Sequence, residues 1–416
     1  MKLTIIVIGD EILLGQVTDT NSGEISRTLS PEGWETVETM VIGDNADAIH
    51  SAIEKAMEQS HLVITTGGLG PTKDDITKAV MTEYFGGELH EDPEVVANIC
   101  RVFEKRNLKM NALTRAQAMV PTSCRVIQNV LGTAPIMWFE RNGKVLVAMP
   151  GVPFETVGML HSAVLPEILR HFQSDTKVLH HTMMVTGITE SGLAEHLCEW
   201  EENLPPHLHL AYLPTPGLIR LRLDGHYRAA DIQAEAQFAD AVSGLTERLG
   251  AYKIYDGDAT AAMIVLHYLR DRGWTLATAE SCTGGNIARS ITEVPGCSDT
   301  YVGSVISYSN DVKINLLGVN PDIIAAEGAV CESVVRQMAE GVCAATGADC
   351  AVATSGIAGP GGGSSEKPVG TVWIAATAKG HTVTCCLHLP GDRLRVINRA
   401  TTEALLLLLS KVRSTR

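Results

Sequence analysis

Three short segments in the last third of the chain carry the residue types of a nucleophilic site. Ser281 stands in Glu280-Ser281-Cys282-Thr283-Gly284-Gly285, after the strand-like run Thr275-Leu276-Ala277-Thr278-Ala279 and before the helical pattern Asn286 to Thr292. A hydroxyl between a strand's carboxyl end and a helix's first turn meets free backbone N–H groups and the positive end of the dipole, which favour developing negative charge. The plainer alternative makes Ser281 or Thr283 the helix N-cap. A second segment, Val305-Ile306-Ser307-Tyr308-Ser309-Asn310-Asp311-Val312-Lys313, reads as a strand running into a helix and offers a phenol and an amine. A partly buried Lys313 loses its charge more easily and can then take a proton from a serine hydroxyl, with Tyr308 as relay or positioning group. A solvated lysine and a packed tyrosine are the alternative. The third segment, Ala353-Thr354-Ser355-Gly356-Ile357-Ala358-Gly359-Pro360-Gly361-Gly362-Gly363, follows the apolar run Cys350 to Ala353. Its glycines let the main chain pass close to a ligand and turn N–H groups toward an anion or oxyanion. With the polar tail Ser364-Ser365-Glu366-Lys367-Pro368 it also fits a mobile flap.

A second constellation lies near the start. The run Leu62–Thr66 leads into Thr66-Gly67-Gly68-Leu69-Gly70-Pro71-Thr72-Lys73-Asp74-Asp75 and a helix from about Ile76. Glycines between a strand and a helix make a phosphate cradle, and Asp74 and Asp75 can hold a hard divalent cation against a diphosphate. The same two carboxylates also suit a helix start, facing the dipole. Asp10-Glu11, Thr20-Asn21 and Gly43-Asp44-Asn45 fall on the same sheet edge, where loops after parallel strands converge. Gly132-Thr133-Ala134-Pro135 and Pro150-Gly151-Val152-Pro153 add two turns. The candidate nucleotide site is therefore Glu11, Asn21, Asp44, Gly67, Gly68, Gly70 and Thr72, with Asp74 and Asp75 as metal ligands.

The elements that must position these groups follow from periodicity. From Lys2 to about residue 170, β-rich runs (Leu3–Ile8, Leu62–Thr66, Val145–Met149) alternate with helical patterns such as Asp47 to Ser60, which predicts a parallel sheet covered on both faces. Between Thr182 and Leu249, strands at Met183–Thr186 and Ile219–Leu223 with helices at Ile188–Trp200 and Ala229–Leu249 predict a small α+β connector. A new α/β pattern starts at Asp258, with a helix to about Arg272, after the turn-forming Tyr255-Asp256-Gly257-Asp258. The fold class is thus α/β: two three-layer domains, 1–170 and 255–416, joined by the connector 171–254.

At 416 residues, 45% hydrophobic and 19% charged, the chain has ample material for two or three buried cores. A formal charge of −15 repels a phosphate backbone and speaks against nucleic acid as a partner. The ten cysteines show no paired metal-ligand spacing and no compact disulfide framework. The first strand runs straight into Gly9-Asp10-Glu11, unlike a signal peptide, and no window has the length of a membrane span. A cytoplasmic protein with reduced thiols and no membrane partner is expected. His180, His181, His207 and His209 lack a metal partner at helical spacing.

Together, Glu280–Gly285, Tyr308-Ser309-Asn310 with Lys313, Glu327-Gly328-Ala329-Val330, and Thr354 to Pro360 followed by Lys367-Pro368-Val369-Gly370-Thr371 resemble the nicotinamide-nucleotide amidase (PncC-type) domain of the CinA, or competence/damage-inducible protein A, family. The resemblance implies Ser281 as nucleophile, Lys313 as its base and Tyr308 as assistant. Thr283, Gly284, Gly285, Ser298, Thr354, Ser355 and Gly356 would then surround the substrate. It implies deamidation of nicotinamide mononucleotide through an acyl-enzyme, with no cofactor. The N-terminal segments resemble the CinA N-terminal domain, similar to the molybdopterin-binding fold of the MoaB/MogA kind. That likeness implies an ADP-ribose pyrophosphatase using a divalent cation such as magnesium, with a KH-like connector and a homodimeric assembly. Two other readings stand beside it: a non-catalytic interaction protein of competence or DNA damage, and a molybdopterin-binding protein.

Overall fold

The computed structural model describes residues 1–72, 76–172, 176–228 and 230–415. Two compact units organise it, one of Met1–His180 with Gly225–Phe238 and one of His181–Asp224 with Ala239–Arg416. In the first, β1 (Lys2–Ile8), β2 (Glu35–Ile42), β3 (Leu62–Thr66), β6 (Arg125–Ile127), β7 (Ile136–Arg141) and β8 (Lys144–Met149) form one sheet in the order β2-β1-β3-β8-β7-β6. A short ribbon of β4 (Leu89–Glu91) and β5 (Met119–Pro121) stands apart. Strand alternation divides β1 between two cores. Leu3, Ile5 and Val7 pack with Ile25, Leu29, Met159 and Leu160, while Ile6 and Ile8 pack with Ile49, Ile53 and Ala56. Each fully buried aliphatic side chain contributes about 1.5–3 kcal/mol, so both helix layers are held by the sheet between them.

The expected parallel sheet is found for β2, β1, β3 and β8, but β7 runs antiparallel to β8, and β6 antiparallel to β7. The cause is the two-residue link Asn142-Gly143, at φ 54° and 73°, a turn that reverses the chain into a hairpin and leaves no length for a crossover helix.

The central segment forms a sheet in the order β10-β11-β9-β12, from β9 (Thr176–Val185), β10 (Leu208–Thr215), β11 (Leu218–Arg228) and β12 (Lys253–Asp256). Its helices are Glu190–Glu202 and Ala234–Leu249. β10 is an addition to the sequence reading, paired with β11 through the turn Pro216-Gly217, where Gly217 has φ 78°.

The C-terminal sheet has the order β14-β13-β15-β16-β17, with β13 (Leu276–Glu280), β14 (Tyr301–Ile306), β15 (Cys350–Gly356), β16 (Thr371–Ala378) and β17 (His381–His388). β14, β13 and β15 are parallel, and β16 and β17 antiparallel, again through a two-residue turn, Lys379-Gly380 at φ 49° and 79°. Helices Ala261–Arg272 and Arg393–Ser414 cover one face. The other face presents Ala277, Ala279, Ala351, Ala353 and Ala375 to Val334, Val335, Met338 and Val342 of helix Glu332–Thr346. Short side chains let that helix lie close to the sheet. It in turn receives helix Asn310–Leu317, for at Gly341 an added Cβ would stand 1.9 Å from the Leu317 carbonyl oxygen.

All ten cysteines are free thiols. Among the described residues no helix is long and apolar enough to cross a membrane.

Candidate active site

Strand register brings the three C-terminal segments together. Glu280 pairs with Ile306 on one side and Thr354 on the other, so the chain leaves the sheet side by side at Ser281 and Ser307, while Ser355 continues β15 in pairing with Trp373 of β16. Lys313 enters from helix Asn310–Leu317, whose N-cap Ser309 accepts from the Val312 N–H at 3.3 Å. With Leu317 one turn on, Lys313 makes the buried face of that helix and is only 1% exposed. Its Nζ lies 3.0 Å from Ser281 Oγ, 2.6 Å from the Ser307 carbonyl oxygen and 3.3 Å from that of Tyr308. Burial holds the Lys313 amine below the usual lysine pKa. As a neutral amine it has two N–H groups for the two carbonyls, and the lone pair remains for the Ser281 hydroxyl. Burial pushes the thiol of the neighbouring Cys282 up to about 11, which disfavours its thiolate.

The helix N-terminus behind Ser281 is not free, contrary to the expectation from sequence. Its N–H groups at Gly285, Ile287 and Ala288 donate to the Glu280 carboxylate at 2.9, 3.1 and 2.8 Å, and those of Gly284 and Asn286 donate to the carbonyls of Ser281 and Thr283. A carboxylate already meets the dipole there. Cys282 lines the cavity, and its thiol accepts from its own backbone N–H.

That cavity, 220 Å³, is lined by Ser281, Tyr308, Lys313, Ser355, Gly356 and Arg393, with Cys282, Asn310, Ala329, Val330 and Ala358. The Arg393 guanidinium and the Lys313 amine face it, and no carboxylate among the described residues does. Tyr308 is 60% exposed and its phenol accepts from Arg393 Nη2 at 3.0 Å, while Nη1 donates to the Gly359 carbonyl at 2.8 Å. Tyr308 thus reaches Lys313 through its main-chain oxygen, and its ring turns to Arg393. Thr283 and Thr354 are buried with their hydroxyls 2.8 Å apart and do not line the cavity. Ser355 donates to the Ala329 carbonyl at 2.7 Å and fixes the Glu327–Val330 segment against the site. Gly284 and Gly285, at φ 60° and 100°, shape the turn behind Ser281, and Ser298 is exposed on the turn Cys297–Asp299 outside the lining.

The N-terminal pocket, 590 Å³, gathers Glu11, Asn21, Asp44, Gly67, Gly68, Gly70 and Thr72, all seven residues expected there, with Asp19, Thr66, Thr133 and Glu155. Asp74 and Asp75 lie outside the described residues. Glycine is required at position 67, where φ is 99° and a Cβ would stand 2.0 Å from the Ile8 carbonyl oxygen. Asn21 Nδ2 donates to Thr66 Oγ1 at 2.9 Å and to the Gly151 carbonyl at 2.8 Å. This leaves its Oδ1 buried with no partner among the described residues. Asp44 and Asp10 each accept from the other's backbone N–H, at 3.2 and 3.3 Å. The oxygen donors suit a hard divalent cation, although no group of three His, Cys, Asp or Glu is placed to hold one among the described residues.

Over residues 258–412 the sequence matches the family described as "CinA C-terminal domain", over 180–255 the "Damage-inducible protein CinA KH domain", and over 4–170 the "Probable molybdopterin binding domain". A CinA-like protein of Cytophaga hutchinsonii is 42% identical over 408 residues, covering 98% of this chain and 97% of that protein. The chain belongs to the CinA family. A CinA-like protein of Gemmatimonas aurantiaca is 40% identical over 97% of this chain and 95% of its own. Among solved structures, the competence/damage inducible protein of Agrobacterium tumefaciens is 36% identical, with a TM-score of 0.36, covering 37% of this chain and 94% of its own. A CinA superfamily protein from Klebsiella pneumoniae is 37% identical, with a TM-score of 0.36, covering 37% of this chain and 97% of its own.

In this CinA chain, sequence reasoning overlooked Arg393. Its only signal is Gly391-Asp392-Arg393 after a strand, with Asp392 capping the last helix by accepting from the Arg395 N–H at 2.8 Å.

Proposed function

We propose that the C-terminal domain deamidates nicotinamide mononucleotide. The observation that carries this reading is the Ser281–Lys313 contact, a hydroxyl 3.0 Å from a buried amine whose other acceptors are main-chain carbonyls. The neutral Lys313 amine takes the Ser281 proton as Oγ attacks the carboxamide carbon, and the oxyanion forms against the main chain of Cys282, which lines the cavity. Lys313 returns the proton to the departing nitrogen, and ammonia leaves. Water, deprotonated by the same amine, then opens the acyl-enzyme and releases nicotinate mononucleotide and Ser281. Arg393 supplies the charge that a nucleotide phosphate needs at the cavity's edge. Ammonia release from nicotinamide mononucleotide, present in wild type and absent in Ser281→Ala, tests the proposal; wild type releasing none would defeat it.

For the N-terminal domain we propose hydrolysis of a nucleoside diphosphate such as ADP-ribose. Support comes from the glycine-lined pocket and its oxygen donors. Glu11 and Asp44, with Asn21 Oδ1, are the residues that would hold a divalent cation, which supplies charge neutralisation and polarisation of the diphosphate.

A further inference from the structure

Glu280 has no solvent exposure, and a buried carboxylate is costly unless its oxygens are satisfied. Here four donors meet it: Oε2 accepts from the Thr283 hydroxyl at 2.7 Å, the Gly285 N–H and the Ile287 N–H, and Oε1 from the Ala288 N–H. The single Thr283 hydroxyl proton is committed to Glu280, so in the 2.8 Å contact between the threonines it is Thr354 Oγ1 that donates. Thr354 also accepts from the Ser281 N–H through its carbonyl at 3.0 Å. The chain of contacts therefore runs from the carboxylate to the backbone of the serine.

Glu280 reaches the lysine by a second route. Its carbonyl accepts from the Ser307 N–H at 2.8 Å, and the Ser307 carbonyl is the shortest contact of Lys313 Nζ, at 2.6 Å. One residue thus stands behind both reacting groups. A surface serine or aspartate would cap the short helix Asn286–Thr292 at far less desolvation cost. The carboxylate's place at the end of β13, between β14, which leads to Lys313, and β15, which bears Thr354, is what the plain capping role leaves without a reason.

We propose that Glu280 is a positioning residue for the amidase reaction, holding Ser281 within proton-transfer reach of Lys313 through Thr283 and Thr354. This rests on the amidase reading above. Glu280→Gln turns one acceptor into a donor facing N–H groups. Thr283→Val, nearly the same size, removes the hydroxyl link alone. Measured per folded molecule with nicotinamide mononucleotide, both lower kcat by about 100-fold, the scale of a misplaced reacting group, with KM unchanged. Thr283→Ser recovers what Thr283→Val loses. In a crystal structure of the Thr283→Val chain, Ser281 Oγ has moved out of hydrogen-bonding reach of Lys313 Nζ. Wild-type kcat in the folded variants, or an unmoved Ser281 in that crystal structure, overturns the proposal. Should wild type release no ammonia, the amidase reading falls by itself and the position of Ser281 in the Thr283→Val structure still decides the role of Glu280.

Discussion

Lys313 Nζ meets Ser281 Oγ at 3.0 Å inside the core, and every other acceptor around that nitrogen is a main-chain carbonyl with no charge to stabilise an ammonium. Burial lowers the lysine pKa, so the amine becomes a base at lower pH than an exposed lysine. The rate of deamidation, read as kcat/KM, rises with pH along a limb whose midpoint lies below 10.5 and then levels. Lys313→Ala removes the base and lowers the rate by about 10²–10⁴-fold. A pH–rate profile on wild type checks the limb, and a flat profile contradicts the assignment.

The same shift has a consequence for folding. Between the lowered folded value and 10.5, the unfolded chain binds a proton at this lysine and the folded chain does not. Stability therefore rises with pH across that window, is fully present above 10.5, and is lost as pH falls through the folded value. Lys313→Met deletes the increment. Denaturant melts of the two chains through the alkaline window should differ in slope, wild type gaining on the variant as pH increases.

How much of this was legible beforehand depends on whether the signal is local. The strands Leu3–Ile8 and Leu62–Thr66 and the turn after Ala279 are written in contiguous apolar runs and glycines, and they fold where those patterns lie. The antiparallel strands were less visible, although Asn142-Gly143 is a strong hairpin signal in its own right. Arg393 and the inward turn of Glu280 were beyond local pattern altogether. An arginine near a helix start and a glutamate before a serine look like surface residues until strand register places them beside Tyr308 and Thr354. The free helix N-terminus was a reasonable local expectation that a buried carboxylate overrode.

Gly341 is a site of this hidden kind. A glycine inside a helix costs about 1 kcal/mol relative to alanine, with no local compensation. Its reason is tertiary, for a Cβ would stand 1.9 Å from the carbonyl oxygen of Leu317, at the end of the helix that carries Lys313. Gly341→Ala is expected to destabilise the chain by about 1–3 kcal/mol through overpacking despite the better helix propensity. By displacing Lys313 it also lowers kcat roughly tenfold or more. Thermal melting and steady-state kinetics on one preparation measure both.

Arg393 bridges the Tyr308 phenol and the Gly359 carbonyl, which holds its guanidinium at the cavity with a third face open to ligand. A charge-assisted hydrogen bond to phosphate contributes about 1.5–3 kcal/mol, so Arg393→Ala raises KM by about 10–100-fold with a smaller change in kcat. Tyr308→Phe takes away one acceptor and leaves the charge, and its KM shifts less. Nicotinamide riboside, which lacks the phosphate, separates the roles, because Arg393→Ala leaves its kinetics near those of wild type.

The two pockets differ in charge, and that difference predicts independent responses to a chelator. Among the described residues four carboxylates, Glu11, Asp19, Asp44 and Glu155, line the N-terminal pocket, so a diphosphate entering it needs a cation as counter-charge. The C-terminal cavity is lined by Lys313 and Arg393 instead, and the nucleophile proposed for it is a side chain beside an amine. Excess chelator should therefore abolish hydrolysis of ADP-ribose and leave ammonia release untouched, with magnesium restoring the first. Glu11→Gln should lower only the first activity and Ser281→Ala only the second. Loss of ammonia release on chelation would require a metal in the C-terminal reaction, and the proton path from Ser281 to Lys313 would then have to be abandoned.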